Sequence, residues 1–185
     1  EAIIRSYPIV PTDLQSQTYE LRYSTKRDHQ PADFFTKALS NSSHLDLGLG
    51  YFSSASFNVL ACGFSHFIKN GGNMRMYINP NLTEDDYALL KANRPEDFEQ
   101  RLLESYDELF NILSKRDELF FRCLAYLIQQ ERIEIRIAVL KEGGIAHEKF
   151  GIFTDTKGDE VVFNGSMNMT ASGLTRNIES IDCIC

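Results

Sequence analysis

The residues best suited to chemistry in this 185-residue chain lie in its last forty positions. His147 and Lys149 stand two apart in a strand-like run from Ile145 to Thr154. Residues two apart on a strand project from one face, so an imidazole and an ammonium would point together. Burial alone does not favour such a pair, although an edge strand with a solvated face would show the same pattern. Gly165-Ser166-Met167-Asn168 directly follows a second strand-like run, Val161-Val162-Phe163. The glycine permits close backbone approach, and Ser166 and Asn168 are short hydrogen-bonding residues, which also suit an ordinary turn. Glu179 then stands at the start of a last strand, a place where a lone carboxylate is usually just surface. Gathered at successive strand ends, these pieces fit one anionic ligand. Lys149 and Asn168 would donate to phosphate oxygens, while Glu179 would hold the His147 ring through its second nitrogen. The set supplies a nucleophile, an orienting carboxylate and an oxyanion clamp, which are the parts of phosphoryl transfer through a covalent intermediate.

His147-Glu148-Lys149, Gly165-Ser166-Met167-Asn168 and Glu179 together resemble the phospholipase D superfamily signature, His-x-Lys followed by Gly-Ser-x-Asn and a downstream Glu. The specific part covers residues 145–182. Gly50-Tyr51-Phe52-Ser53-Ser54 and Gly71-Gly72 extend the likeness, more loosely, over about residues 30–185. That wider stretch is similar to the phospholipase D-like nuclease domains found as N-terminal domains on restriction endonucleases and DEAD-type helicases. The resemblance implies an α/β fold, a mixed sheet sandwiched between helices. It implies a metal-independent phosphodiesterase, most directly a DNA endonuclease, with His147 as the nucleophile that becomes phosphohistidine. Lys149, Ser166, Asn168 and Glu179 would complete the catalytic set, and neither metal nor other cofactor is called for. The chain holds one copy of a motif that family enzymes use twice, so the resemblance implies a homodimer with a shared site, in which the partner's His147 acts as general acid. The family places an Asp five residues after the Lys; here Thr154 fills that slot and Asp155 follows, which leaves the role of Asp155 open. Ser53 and Ser54 at an expected helix start, with Tyr51 beside them, are candidate substrate contacts. Two other functions stay in view: a phospholipid or other small phosphodiester hydrolase, and a catalytically idle DNA-binding or dimerisation module.

The elements that must position these groups follow from hydrophobic patterning. Residues 1–30 are polar and irregular apart from a strand-like piece near Thr18–Tyr23, and they form an N-terminal extension to a domain at 31–185. Pro31 opens a helix through Phe34, Phe35 and Leu39. His44 to Phe52 alternates as a strand, and a helix capped by Ser53 or Ser54 runs to about Ile68 and stops at Gly71-Gly72. Met74–Ile78 and Ile133–Leu140 are further strands, separated by a long helical region from Pro95 to about Arg132. Strands alternating with helices, followed by a hairpin, predict a mixed sheet with helices on both faces.

Composition sets the limits. Hydrophobic residues make up 43% of the chain and charged residues 24%, enough for a true core and inconsistent with disorder. No run approaches the roughly 18 apolar residues of a membrane span, and no secretory leader pattern is visible. The formal net charge is −7. Between Glu84 and Leu119, however, eleven acidic residues face five basic ones, so nearly all of the excess sits on one predicted helix face and a basic groove elsewhere is compatible with it. Cys62, Cys123, Cys183 and Cys185 read as reduced, mostly buried thiols of a cytoplasmic protein. A first residue that is not Met and a final strand that ends in mid-course suggest a fragment, whose missing C-terminal part would carry DNA targeting or a helicase.

Overall fold

The computed structural model describes residues 12–49, 59–78, 127–137, 148–168 and 171–185. Strands β1 (Arg22–Ser24), β2 (His44–Leu49), β3 (Asn73–Ile78), β4 (Ile133–Ile137), β5 (Lys149–Thr154), β6 (Glu160–Gly165) and β7 (Ser180–Ile184) form one sheet in the order β1-β7-β6-β5-β2-β3-β4. β2, β3 and β4 run parallel, whereas the neighbours β2-β5, β5-β6, β6-β7 and β1-β7 are antiparallel. The helices are α1 (Pro31–Ser40), α2 (Ala61–Lys69) and the short α3 (Ala171–Thr175).

Each strand joins this sheet because its apolar residues alternate. In β2, Leu45 and Leu47 are fully buried while His44 and Asp46 are half-exposed; in β3, Met74 and Met76 are buried and Arg75 is not. The register carries the buried set across the sheet, pairing Leu45 with Met74 and Phe153, Phe153 with Val161, and Phe163 with Cys183. A one-residue slip in any strand would turn its apolar set outward, so burial fixes the register. α1 lies on this face. Phe34 and Phe35 are fully buried, and their rings meet Phe153 and Phe163 edge-on at centroid distances of 4.9–6.1 Å. α2 packs closely on α1 at Gly63, where a Cβ would come within 2.9 Å of the Thr36 backbone.

The opposite face of β2, β3 and β4 carries polar pairs in register. Arg75 binds Asp46 through two hydrogen bonds of 2.6 Å, and Arg136 binds Glu134 at 2.6 Å and the Tyr77 hydroxyl at 3.1 Å. The Arg75 guanidinium holds the Asp46 carboxyl below its ordinary pKa.

The N-terminal stretch contributes to the same sheet. β1 pairs with β7, and Leu14 and Tyr23 belong to the core. The strand near Thr18–Tyr23 therefore falls slightly later than its pattern suggests. Three cysteines are described, and they correct the expectation of mostly buried thiols: Cys183 is buried, but Cys62 and Cys185 are exposed. Most of the expected helix from Pro95 to about Arg132 lies outside the described residues; its described part is helical at 127–129 and leads into β4. No helix among the described residues is long and apolar enough to cross a membrane.

Candidate active site

Strand polarity decides which residues meet. β1, β2, β3, β4 and β6 run one way and β5 and β7 the other. One end of the sheet therefore collects the C-terminal ends of β2 and β6 with the N-terminal ends of β5 and β7. Lys149 opens β5, Ser166 and Asn168 follow β6, and Glu179 immediately precedes β7. Three segments well separated in sequence thus deliver their polar residues to the same edge.

Lys149 sits opposite Gly165 in the ladder and is only 1% exposed. The sheet order places β5 in the centre, which overturns the edge-strand explanation for its polar residues. Burial pushes the Lys149 ammonium below its ordinary pKa, and the charge of Glu179 opposes that shift. The two groups are therefore close enough to interact electrostatically.

Gly165 lets β6 and β7 approach. A Cβ there would run into the Ser180 carbonyl oxygen and crowd the Ile181 Cα at 2.8 Å. Just beyond it, the Ser166 amide donates to the Ser180 carbonyl at 3.1 Å, and the Ser180 amide reaches the Ser166 hydroxyl at 3.4 Å. The Ser166 hydroxyl donates to the Glu179 carboxylate, so the residue placed in the catalytic set by motif holds the carboxylate directly. Met167, between the two polar motif residues, is 1% exposed and anchors the turn in the core, while Asn168 is half-buried.

Sequence reasoning missed Thr25, which follows β1 and is 8% exposed. Its hydroxyl donates to the Asn177 carbonyl at 2.5 Å and accepts from the Glu179 amide at 3.2 Å, while its own amide donates to the Glu179 carbonyl at 3.2 Å. Its partners are more than 150 residues away, so no local pattern marks it. Exposed Lys26, Arg27 and Arg176 lie on the two segments that Thr25 joins, beside the acidic Asp28 and the 81%-exposed Ile178. The nucleophile candidate His147 lies outside the described residues, as do Tyr51, Ser53 and Ser54.

Asp155 is at the other end of β5, roughly 20 Å from Lys149 at about 3.3 Å per residue. It is buried and accepts from the amides of Leu14 (2.9 Å), Lys157 (2.8 Å) and Asp159 (3.0 Å), closing the β5–β6 hairpin onto the N-terminal stretch. These bonds give Asp155 an architectural place, away from the edge that holds Lys149. Asp13, Asp155 and Asp159 bring carboxylates together there, with Lys157 paired to Asp13 at 2.5 Å. A cleft of about 310 Å³ also opens at that end, where His44, Arg75 and Arg132 are interspersed with Glu131 and Glu134.

Residues 110–184 match the family model described as cardiolipin synthase, PLD-like domain, a segment containing every motif residue from His147 to Glu179. The C-terminal part of this chain is thus similar to a phospholipase D-like domain. Among solved structures, NucT from Helicobacter pylori superposes with a TM-score of 0.51 at 12% identity, covering 88% of this chain and 82% of NucT. At that identity the likeness concerns the fold alone. Nuc from Salmonella typhimurium, a phospholipase D family member, aligns at 14% identity with a TM-score of 0.48 over 88% of this chain and 80% of its own. No curated protein sequence matches this chain.

Proposed function

We propose that this protein is a metal-independent phosphodiesterase that cleaves DNA through a phosphohistidine at His147. The observation that carries this reading is the sheet edge itself. It holds a buried ammonium, Lys149, within electrostatic reach of a carboxylate, Glu179, that a serine hydroxyl holds in place. In this reading His147, two residues before Lys149 in the sequence, supplies the imidazole.

In the first step one His147 ring nitrogen attacks phosphorus, a nitrogen–phosphorus bond forms and the bond to the leaving oxygen breaks. Lys149 and Asn168 stabilise the charge on the non-bridging oxygens, and Glu179 supports the imidazolium. A second imidazole, supplied by the partner's His147 in a homodimer, gives its proton to the leaving oxygen. It then takes a proton from water, and that water attacks phosphorus and releases the histidine. A free imidazole titrates near about pH 6.5, which lets one group serve both roles.

DNA is favoured over a lipid headgroup by the exposed cations Lys26, Arg27 and Arg176 near the edge, since backbone phosphates are held mainly by such charges. Ile178 is the apolar counter-signal, and one side chain is too little surface for a lipid interface. In this reading the module serves a larger restriction- or helicase-type protein.

The test is cleavage of plasmid and single-stranded DNA in EDTA by the wild type and by His147→Ala. Wild-type cleavage with at least about a 10³-fold loss in the variant is expected. Full activity in His147→Ala would refute the mechanism. Hydrolysis of phospholipid vesicles without DNA cleavage would move the substrate to lipid, and binding of DNA without any cleavage would leave an idle module.

A further inference from the structure

The edge strand β1 is only three residues long, yet the residue that follows it reaches back to the candidate active site. We propose that Thr25 is a positioning residue for Glu179, clasping the 177–179 segment from both sides and so fixing where the carboxylate stands. This rests on the phosphodiesterase reading above and adds to it a residue that the motif does not contain.

The β1–β7 ladder pairs Arg22 with Asp182, Tyr23 with Ile181 and Ser24 with Ser180. Thr25 continues it by donating its amide to the Glu179 carbonyl. Its hydroxyl then does what a backbone group could not: it accepts from the Glu179 amide and donates to the Asn177 carbonyl two residues earlier. Each of the three bonds constrains the backbone on either side of Glu179. The carboxylate is bound at its other end by the Ser166 hydroxyl, from the turn after β6. Glu179 is thus set between two strands that are not neighbours, β1 through its backbone and β6 through its side chain.

The chemistry explains why a threonine is suited to this. A hydroxyl can donate and accept at once, as the two contacts require, and a β-branched side chain has a restricted χ1 that keeps the oxygen aimed. At 8% exposure, water is a poor substitute for either partner. The clasp also fixes the turn carrying Lys26 and Arg27 beside the segment carrying Arg176, where the turn is closed by the Ser24 amide on His29 and the Arg27 amide on Ser24. Substrate-facing cations and the orienting carboxylate therefore share one support.

Thr25→Val preserves shape and removes the hydroxyl, and Thr25→Ser restores it. The experiment compares wild type, Thr25→Val, Thr25→Ser, Glu179→Gln and the Thr25→Val/Glu179→Gln double variant. The probe is bis(p-nitrophenyl) phosphate in EDTA, with amide hydrogen exchange measured at Glu179 in the same proteins. Thr25→Val is expected to lower kcat about 10- to 100-fold with KM changed less than about threefold, and to speed exchange of the Glu179 amide. Thr25→Ser should recover most of both. In the Glu179→Gln background, Thr25→Val should add less than about a twofold loss, because there is no carboxylate left to position. If Glu179→Gln is impaired while Thr25→Val keeps wild-type kcat, or if the two losses multiply in full, the positioning role is overturned and the phosphodiesterase reading stands. Unimpaired Glu179→Gln would instead remove the role of Glu179 and the inference with it. Unchanged exchange at the Glu179 amide in Thr25→Val overturns the clasp whether or not the probe is hydrolysed.

Discussion

Lys149 shows how a residue that is costly to the fold can stand at the candidate site. Its ammonium is almost wholly buried, and burial holds its pKa below the ordinary 10.5 against the pull of Glu179. The sign of the stability effect follows from proton binding. Between the lowered folded pKa and 10.5 the unfolded chain holds more protons than the folded one, so the contribution of Lys149 to stability rises with pH through that window. Below the window it is least favourable, because the folded state must carry the buried charge. Lys149→Met is therefore expected to lower the rate about 10²–10³-fold. Urea unfolding at pH 7 and at pH 10 should show the wild type gaining on the variant as pH rises. A stability difference that does not change with pH would contradict this account of the buried ammonium. Glu179, held by a serine and clasped by a threonine, stands in a more solvated place and needs no such compensation.

At the scale of elements, the ends of β5 do different work. Its first residue belongs to the site and the residue after its last belongs to the hairpin, where Asp155 accepts three backbone amides. Asp155→Ala is expected to destabilise the protein by about 2–3 kcal/mol, the penalty for leaving buried donors unpaired, with kcat within about twofold of wild type. Thermal unfolding and the phosphodiesterase assay check the two halves separately, and a large loss of kcat without loss of stability would assign Asp155 to the chemistry instead. Much of this layer was legible in the sequence. α1 begins at Pro31 as expected, because a proline at a helix start matches its missing N–H and fixed φ. β2, β3, β6 and β7 stand where the sequence pattern put them, the ends of β3, β6 and β7 moved by one or two residues. What could not be read is what depends on distant partners. Leu14 and Asp155 are 141 positions apart, and Thr25 and Asn177 are 152 apart, so their hydrogen bonds leave no local periodicity. The same limit made β5 resemble an edge strand, since only the sheet order reveals that two neighbours flank it.

For the whole molecule, the governing fact is that one sheet end gathers what the chain order scatters. Antiparallel β5 and β7, inserted among strands running the other way, bring the start of β5, the end of β6 and the start of β7 to a common edge. The sheet brings Lys149, the turn after β6 and Glu179 to that edge, while His147 lies outside the described residues. The N-terminal stretch takes part as well, through β1, Tyr23 and Thr25, so the support of the site begins more than a hundred residues before its motif. The candidate site lies at strand ends, which suits the proposed reaction, whose rate would depend on aiming a nucleophile at phosphorus and donors at its oxygens.

The central claim is that the phosphodiester passes through a covalent histidine intermediate. The most direct test is the stereochemical course at phosphorus, using a phosphorothioate diester made chiral with oxygen isotopes and hydrolysed in EDTA. Each in-line displacement inverts the centre, so attack by His147 followed by attack of water must give net retention. Retention is the result this account predicts. Inversion would mean that water attacks the diester directly, and the nucleophilic role of His147 would be wrong.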